Sequence, residues 1–437
     1  MKKTTICLLL LLSVWAWGSG ALYGQQEVAL HIREGVPVIP VAIPAFIAAD
    51  SSEASQAAAR TLRDVITEDL EYSRVFNPIQ ETHYRYLRRP LNPEQIFFKD
   101  WEELQANLLI VGVVKQGEQA GTFQLECKIY DVKSERLIIG KSYTAETGLT
   151  RLVAHRFADE LMQVYGEPQL FTTKIVFCSN RDGNWELYMM DYDGHNQTRL
   201  TFNTFEDYMP AWSADGRRIA YTSFEGASAR LVILHPFEGR RELVFDQGTS
   251  FSPSFSPDDK WLAFCSQEDK SNTDIYVASS DGKNPRRITF SKAADTAPTW
   301  SPTSREIAFT SDRLGTPQIF IMDREGSNVR RVSFGGTYHD GPAWAPTGDR
   351  IVYVSRVESV FDMYVLDLRS NEIMKLSEGY ARNEFPCWSP DGRHILFQSN
   401  RYGSNNQIFS IDYDGKNIRQ LTSKGQNKLA DWAHKSQ

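Results

Sequence analysis

The chain writes nearly the same phrase five times. It reads "PAWSADGRRIAYTS" from Pro210, "PSFSPDDKWLAFCS" from Pro253, "PTWSPTSREIAFTSDR" from Pro298, "PAWAPTGDRIVYVSR" from Pro342 and "PCWSPDGRHILFQSNR" from Pro386. The aromatic of this P-x-W/F slot falls at Trp212, Phe255, Trp300, Trp344 and Trp388, at spacings of 43, 45, 44 and 44 residues, and Trp432 stands another 44 further on. A second ruler, Ser179, Ser223, Ser266, Ser311, Ser355 and Ser399, keeps the same period. Six such units predict the four-stranded blades of a β-propeller.

Each unit can be read into strands. "PCWSP" is a short strand, Asp391 and Gly392 supply a tight turn, and "HILFQS", "QIFSID" and "IRQLT" complete the blade. Tyr188, Tyr276, Phe320, Tyr364 and Phe409 share one slot of the third strand. Together with the ladder Trp212, Trp300, Trp344, Trp388 and Trp432 they are expected to pack between blades. The two ends interlock: the first unit, "KIVFCSNRDGNWELYMMDYDG", lacks a P-x-W strand, and Trp432 supplies one with no blade after it. The C-terminal segment should therefore close the ring as the inner strand of the first blade, leaving only short outer edges. Cys178 and Cys265 share a slot two blades apart, while Cys387 and Cys127 lie elsewhere, so four free thiols are expected.

Residues 26–168 lack the ruler and mix helix with strand. "PVIPVAIPAF" reads as a buried strand, and Asp50 to Glu53 cap a helix buried through Ala58, Leu62, Val65, Ile66 and Leu70. "NLLIVGVVKQ", "GTFQLECKIYDV" and "RLIIGKSYTAE" follow as strands. A closing helix presents Leu149, Leu152, Phe157, Leu161 and Val164, and Gly166 to Pro168 mark a boundary. Before all this, Lys2 and Lys3 precede the apolar run Ile6 to Trp17 and the small residues Gly18 to Ala21, the pattern of a cleaved secretory signal. The expected organisation is a signal over 1–24, an α/β domain over 25–168 and a mainly β, six-bladed propeller over 169–437.

Charge and motifs narrow the function classes. The net charge of −7, and −9 once Lys2 and Lys3 are removed, argues against nucleic acid, whose binding needs clustered Lys and Arg. No G-x-S-x-G, H-E-x-x-H or P-loop occurs, and the eight histidines do not recur in one blade slot as metal ligands would. Asp191, Asp193 and Gly194, like Asp412, Asp414 and Gly415, fall short of a calcium loop and read as hairpin turns. Glu206 and Asp207 read as a solvated pair, the blade serines as strand-end hydroxyls that satisfy loop amides, and "SNR" and "SDR" as loop fasteners. No catalytic, cofactor or metal site is expected. The alternative is a propeller enzyme, or a sugar or small-ligand binder, acting in the central channel.

An exported α/β domain followed by six such blades and a terminal Trp strand resembles the TolB family of the Tol-Pal system. The likeness rests on "PVIPVAIPAF", "LLIVGVV" and "VAHRFADELMQVYGEPQLFTTKIVF" as well as on the repeat. It implies a monomeric, non-enzymatic periplasmic scaffold without cofactor. Such a scaffold links the peptidoglycan-associated lipoprotein, Pal, to inner-membrane TolA for envelope integrity and constriction in division. The resemblance places the lipoprotein on the loops leading into the P-x-W strands. Thr249, Ser252 and Thr296 match family positions there, and Tyr208, Phe251, His339 and Phe385 stand beside them as aromatic anchors. It also gives the mature N-terminal segment, Glu27, Val28, Leu30 and Ile32, to a TolA-like partner, with strand addition as the physical route.

Overall fold

The computed structural model describes residues 38–435 apart from 51, 85–86, 88–94, 227, 246–247, 268–271 and 378–380. The signal and the strand of Glu27, Val28, Leu30 and Ile32 lie outside the described residues.

The smaller domain is one sheet backed by helices. Phe76–Pro78, Ile39–Ala42, Leu108–Gln116, Thr122–Asp131 and Arg136–Glu146 lie side by side, and Ile47–Ala48 also pairs with Leu108–Gln116. The helices are α1 (Glu53–Tyr72), α2 (Phe98–Glu103) and α3 (Thr150–Val164). Ser52 caps α1 by accepting the Ser55 amide at 3.2 Å, and the expected face from Ala58 to Leu70 is buried. In α3 the expected face holds in part: Phe157 and Leu161 are buried, but Leu149, Leu152 and Val164 are exposed, and Val153, Ala154, Ala158 and Met162 complete the buried stripe instead. The small alanines let α3 lie close to α1, and the polar His155 and Asp159 on the same face have buried partners. A rule based on large apolar residues misses such a stripe.

Six four-stranded sheets form the propeller. Blade six is typical, with an inner strand Asn383–Trp388, then His394–Ser399, Gln407–Asp412 and an outer Arg419–Gln420. Blade one is built from both ends of the ring. Asn427–Trp432 pairs antiparallel with Lys174–Ser179, Asn427 opposite Ser179 and Trp432 opposite Ile175, and Glu186–Asp191 and Thr198–Arg199 follow. Trp432 is fully buried and donates its indole N–H to Thr173 Oγ1 at 2.8 Å. Trp300 and Trp388 each donate to a carbonyl of the preceding blade, Ser254 and Ala343, at 3.0 Å; Trp212 is buried too. Trp344 departs from the ladder, half-buried with its N–H on Gly348 O of its own turn at 3.2 Å. The third-strand aromatics face aromatics of the second strand across the ladder, as in Phe397 and Phe409 with ring centroids 5.6 Å apart. Cys127, Cys178, Cys265 and Cys387 are free thiols.

Strand direction gives the ring two unlike faces. The second strand ends where the inner strand begins, so the connections from second to third strand and from outer strand to next blade share one face, the mouth. The Asp-Gly turns, at residues such as Asp193 and Asp414, all fall on the other face. The smaller domain sits on this turn face, at blades one and six. Arg74 Nε meets Asp412 at 2.8 Å, Arg393 meets Glu167 at 2.8 Å, and Tyr72 stacks on His394 with centroids 3.9 Å apart. Asp159 accepts the Leu170, Phe171 and Thr172 amides at 2.8 to 3.0 Å, which fixes the joint between the two parts.

The centre of that contact is a buried charge cluster. His155 Nδ1 lies 2.9 Å from Asp69 and its Nε2 3.5 Å from Asp193. Arg151 pairs with Asp193, His195 Nδ1 is 3.2 Å from it, and Tyr192 donates to Asp69 at 2.5 Å. Burial pulls His155 down, but the Asp193 and Asp69 carboxylates outweigh it and hold the imidazole up at about 9. Breaking a buried pair of this kind costs several kcal/mol, since the partner is left as an uncompensated charge.

Two outcomes are expected. Ending the chain at Lys428 removes Trp432 and most of the closing strand, and it should lower the melting temperature sharply by circular dichroism; an unchanged melt would contradict closure. A histidine raised in the folded state stabilises fully below its unfolded value of ~6.5 and loses that stabilisation as pH rises through the folded value. Thermal stability should therefore fall between about pH 6.5 and 9, by on the order of 3 kcal/mol. His155→Phe should melt lower at pH 6 and show little of that slope, and a parent chain as stable at pH 9 as at pH 6.5 would refute the cluster's role.

Candidate functional site at the propeller mouth

The inner strands carry a bulge in the same place in every blade. The residue before each proline takes a left-handed backbone: Met209, Ser252, Ala297, Gly341 and Phe385 have φ of 51 to 58°, and Leu429 in the closing strand has 55°. Such a conformation costs a non-glycine residue roughly 1–2 kcal/mol, and a following proline restricts it further. The bulge turns each amide toward the preceding blade. Ser252 and Gly341 donate to Thr222 and Thr310 Oγ1 at 3.3 and 3.2 Å, and Leu429 donates to Gln398 Oε1 at 3.3 Å. The amides of Met209 and Ala297 meet the thiols of Cys178 and Cys265, which occupy the same slot. The shared cysteine slot seen in the sequence is thus an inter-blade acceptor position.

The bulges shape two connected hollows. A central channel of about 560 Å³ is walled by the inner-strand prolines and tryptophans and includes Ser252, Thr296 and Asp431. Burial raises Asp431 to about 6, while its carboxylate accepts the Trp212 amide at 2.6 Å. At the mouth, a pocket of about 720 Å³ lies between blades one, two, three and six, lined by Tyr208, Phe224, Thr249, Phe251, Phe385 and Lys428 among others. Phe251 and Phe385 belong to both.

Six of the seven residues expected on the lipoprotein face therefore line one of these hollows. His339 does not. It is 4% exposed, its Nε2 meets Gly335 O at 2.5 Å, and its ring packs edge-on to Tyr353, so it offers no surface as an anchor. The reason is its register. His339 pairs with Ser355 in the slot that holds Asp207, Asp295, Asn383 and Asn427 in other blades, a position that satisfies the strand end. Asp207 is likewise buried rather than solvated, accepting Ser223 Oγ at 2.7 Å and Asn203 Nδ2 at 2.8 Å. The "SNR" and "SDR" arginines fasten the same corner. Arg181, Arg313 and Arg401 bond their blade serine through Nε at 2.9 to 3.3 Å. They reach Asn427, Asp295 and Asn383 through Nη2 at 2.9 to 3.1 Å.

Exposed aromatics gather on the mouth face. Phe202 and Phe290, each 75% exposed, and the exposed Phe334 follow outer strands, and Phe224 and Tyr402 lie in second-to-third-strand loops. On the turn face of the propeller the exposed large aromatic among the described residues is Phe237. Arg199, Arg287 and Arg331 stack under Phe202, Phe290 and Phe334 at 4.9 to 5.4 Å. Sequence reading missed Phe224, Lys428 and the left-handed ring; the residues before the prolines, Met209, Ser252, Ala297, Gly341 and Phe385, share no type that would signal the ring.

Other groupings hold less chemistry. His155, Asp191 and Asp193 lie close enough for a metal ion, but Lys174 pairs with Asp191 and Arg151 with Asp193, so cations already occupy those carboxylates. Among the described residues no helix is long and apolar enough to cross a membrane.

The comparisons with known proteins agree with this architecture. Residues 162–436 match the family described as TolB beta propeller domain, and residues 29–138 match the TolB amino-terminal domain. The Tol-Pal system protein TolB of Desulfosudis oleivorans is 33% identical over 67% of this chain and 66% of its own length. The protein of the same name from Anaeromyxobacter dehalogenans is 34% identical over 60% of this chain and 59% of its own. The chain thus spans about two thirds of the length of such relatives. A crystal structure of TolB from Acinetobacter baumannii superposes with a TM-score of 0.74 over 91% of this chain and 97% of that one, at 23% identity, a likeness of fold. With both domain types matched in order, and the propeller match covering more than half of the sequence, the chain belongs to the TolB family.

Proposed function

We propose that the chain is a periplasmic, non-catalytic scaffold of a Tol-Pal system whose propeller mouth docks the peptidoglycan-associated lipoprotein. One observation carries this reading: the exposed aromatics gather on the mouth face, and the smaller domain occupies the opposite one. Large apolar side chains around a concave centre suit a protein partner, because buried aromatics dominate binding energy. The residues lining the mouth, Tyr208, Thr249, Phe251 and Phe385, and those deeper in the channel, Ser252 and Thr296, are the proposed contacts. The mature N-terminal segment around Glu27, Val28, Leu30 and Ile32 is the proposed strand for a TolA-like inner-membrane partner. Linking the two partners would serve envelope integrity and outer-membrane constriction. The domain scheme of 25–168 and 169–437 after a cleaved signal over 1–24 is part of the same proposal.

Pull-down of the mature chain from its own envelope fraction tests the docking face. Capture of the lipoprotein should be lost in both Thr249→Arg and Thr296→Arg, which place a long cation in the mouth pocket and in the channel respectively. Capture untouched by either change would move the site elsewhere, and no lipoprotein at all would favour a ligand in the channel. Deleting residues 25–33 should spare the lipoprotein and abolish capture of the TolA-like protein; loss of both would argue against two separable sites.

A further inference from the structure

The mouth pocket contains one cation with an unusual setting. Lys428 lies on the closing strand opposite Cys178, half-buried, with Nζ 3.9 Å from the ring centre of Trp185 and 4.4 Å from that of Tyr208. Among the described residues no carboxylate comes within ion-pair distance of it. The other charges at this wall have partners: Arg382 pairs with Glu384 at 2.8 Å, Gln398 donates to Glu384 at 3.3 Å, and Glu206 accepts the Tyr208 hydroxyl at 3.0 Å. Beside the ammonium, the aromatic rings of Phe224, Phe251 and Phe385 line the same 720 Å³ space.

We propose that this pocket takes an acidic side chain of the docked lipoprotein together with an apolar side chain next to it. The carboxylate pairs with Lys428 Nζ, and the apolar group packs against Phe224 and Phe385. The proposal rests on the docking reading above and adds the chemistry of the segment that enters.

The aromatic faces under the ammonium hold it in place at little entropic loss, which leaves its outer hydrogens to a carboxylate. Burial already disfavours the charged amine, so an incoming anion restores what desolvation removes. A chain of net charge −7 does not draw acidic partners from a distance. The attraction arises only at contact and supplies specificity more than association rate. A neutral apolar segment would leave Lys428 without an anion in a newly dried pocket, and a basic one would meet it head on.

Titration calorimetry between the mature chain and the soluble domain of its own lipoprotein tests this. Lys428→Met keeps the bulk of the side chain and should weaken binding about tenfold or more, with Lys428→Arg regaining most of it. Raising salt from about 50 to about 500 mM should weaken the parent more than the Met variant. Glu206→Gln, which removes a carboxylate whose charge already acts on Lys428, should tighten binding several-fold, and it decides the matter if Lys428→Met melts early. Lys428→Met binding within twofold of the parent, or Glu206→Gln failing to tighten, overturns the proposal. If Thr296→Arg still abolishes binding in that case, the docking reading stands without it; if Thr296→Arg also binds normally, the docking reading falls first.

Discussion

Everything in the propeller depends on the antiparallel pairing of Asn427–Trp432 with Lys174–Ser179. Without it, blade one lacks an inner strand, and both blade one and blade six expose a flank that is now packed. The contact is anchored at both ends. Trp432 is buried with its N–H on Thr173, and Asn427 joins Arg181 to the Gln407 side chain at 3.0 and 2.7 Å. Asp431 adds a link to a third blade through the Trp212 amide. Closure brings together residues more than 240 positions apart, so its loop entropy is large and must be recovered through many small contacts. The same six-residue strand also carries Leu429 into the left-handed ring and Lys428 into the mouth pocket. Structural closure and the candidate site thus share one element.

The two faces of the ring are specialised by what the connections carry. Turns between closely spaced strands are short and polar, and at blades one and six their carboxylates, Asp193 and Asp412, serve as sockets for Arg151, His155 and Arg74 of the smaller domain. A polar contact of that kind is costly if misaligned, which favours one docking geometry over slippery alternatives. The mouth-side connections hold the exposed aromatics Phe202, Phe224, Phe290, Phe334 and Tyr402. Attaching the smaller domain by charge on one side leaves apolar surface available on the other.

Much of this was legible in the sequence, because a repeat multiplies weak signals. The Trp and Ser rulers gave blade number, closure and the strand slots, and the Arg of "SNR" and "SDR" proved to fasten the corner where inner and second strands meet. Single residues were harder. His339 reads as an exposed aromatic beside Tyr208 and Phe251, yet it fills a buried slot that takes Asp or Asn in four other blades and Ser250 in blade three. Asp193 and Asp412 read as hairpin turns, which they are, but their ion pairs come from a domain that the local pattern does not include. The face of α3 is legible only in part for a similar reason: Phe157 and Leu161 are buried as the pattern expects, but His155 and Asp159 share that burial through partners on α1, blade one and the joint at residues 170–172. Periodicity reports local structure, whereas these contacts are set by how two domains meet.

The left-handed ring shows why the candidate site forms at this end of the channel. An ordinary inner strand would alternate its side chains between blade interfaces and the axis. The bulge breaks the alternation before each proline, and it sends the amide into the neighbouring blade while placing the side chain of Ser252 or Phe385 at the channel. Five ordinary residues accept the strain of φ near 54°, and each local cost of roughly 1–2 kcal/mol is offset where the amide finds an acceptor. Blade five departs from this, since Val354 holds the acceptor slot opposite Phe385. There the strain is left to packing alone, and Phe385, still 43% exposed, stands at the junction of mouth pocket and channel. A partner that covered Phe385 would supply the packing that this one blade lacks.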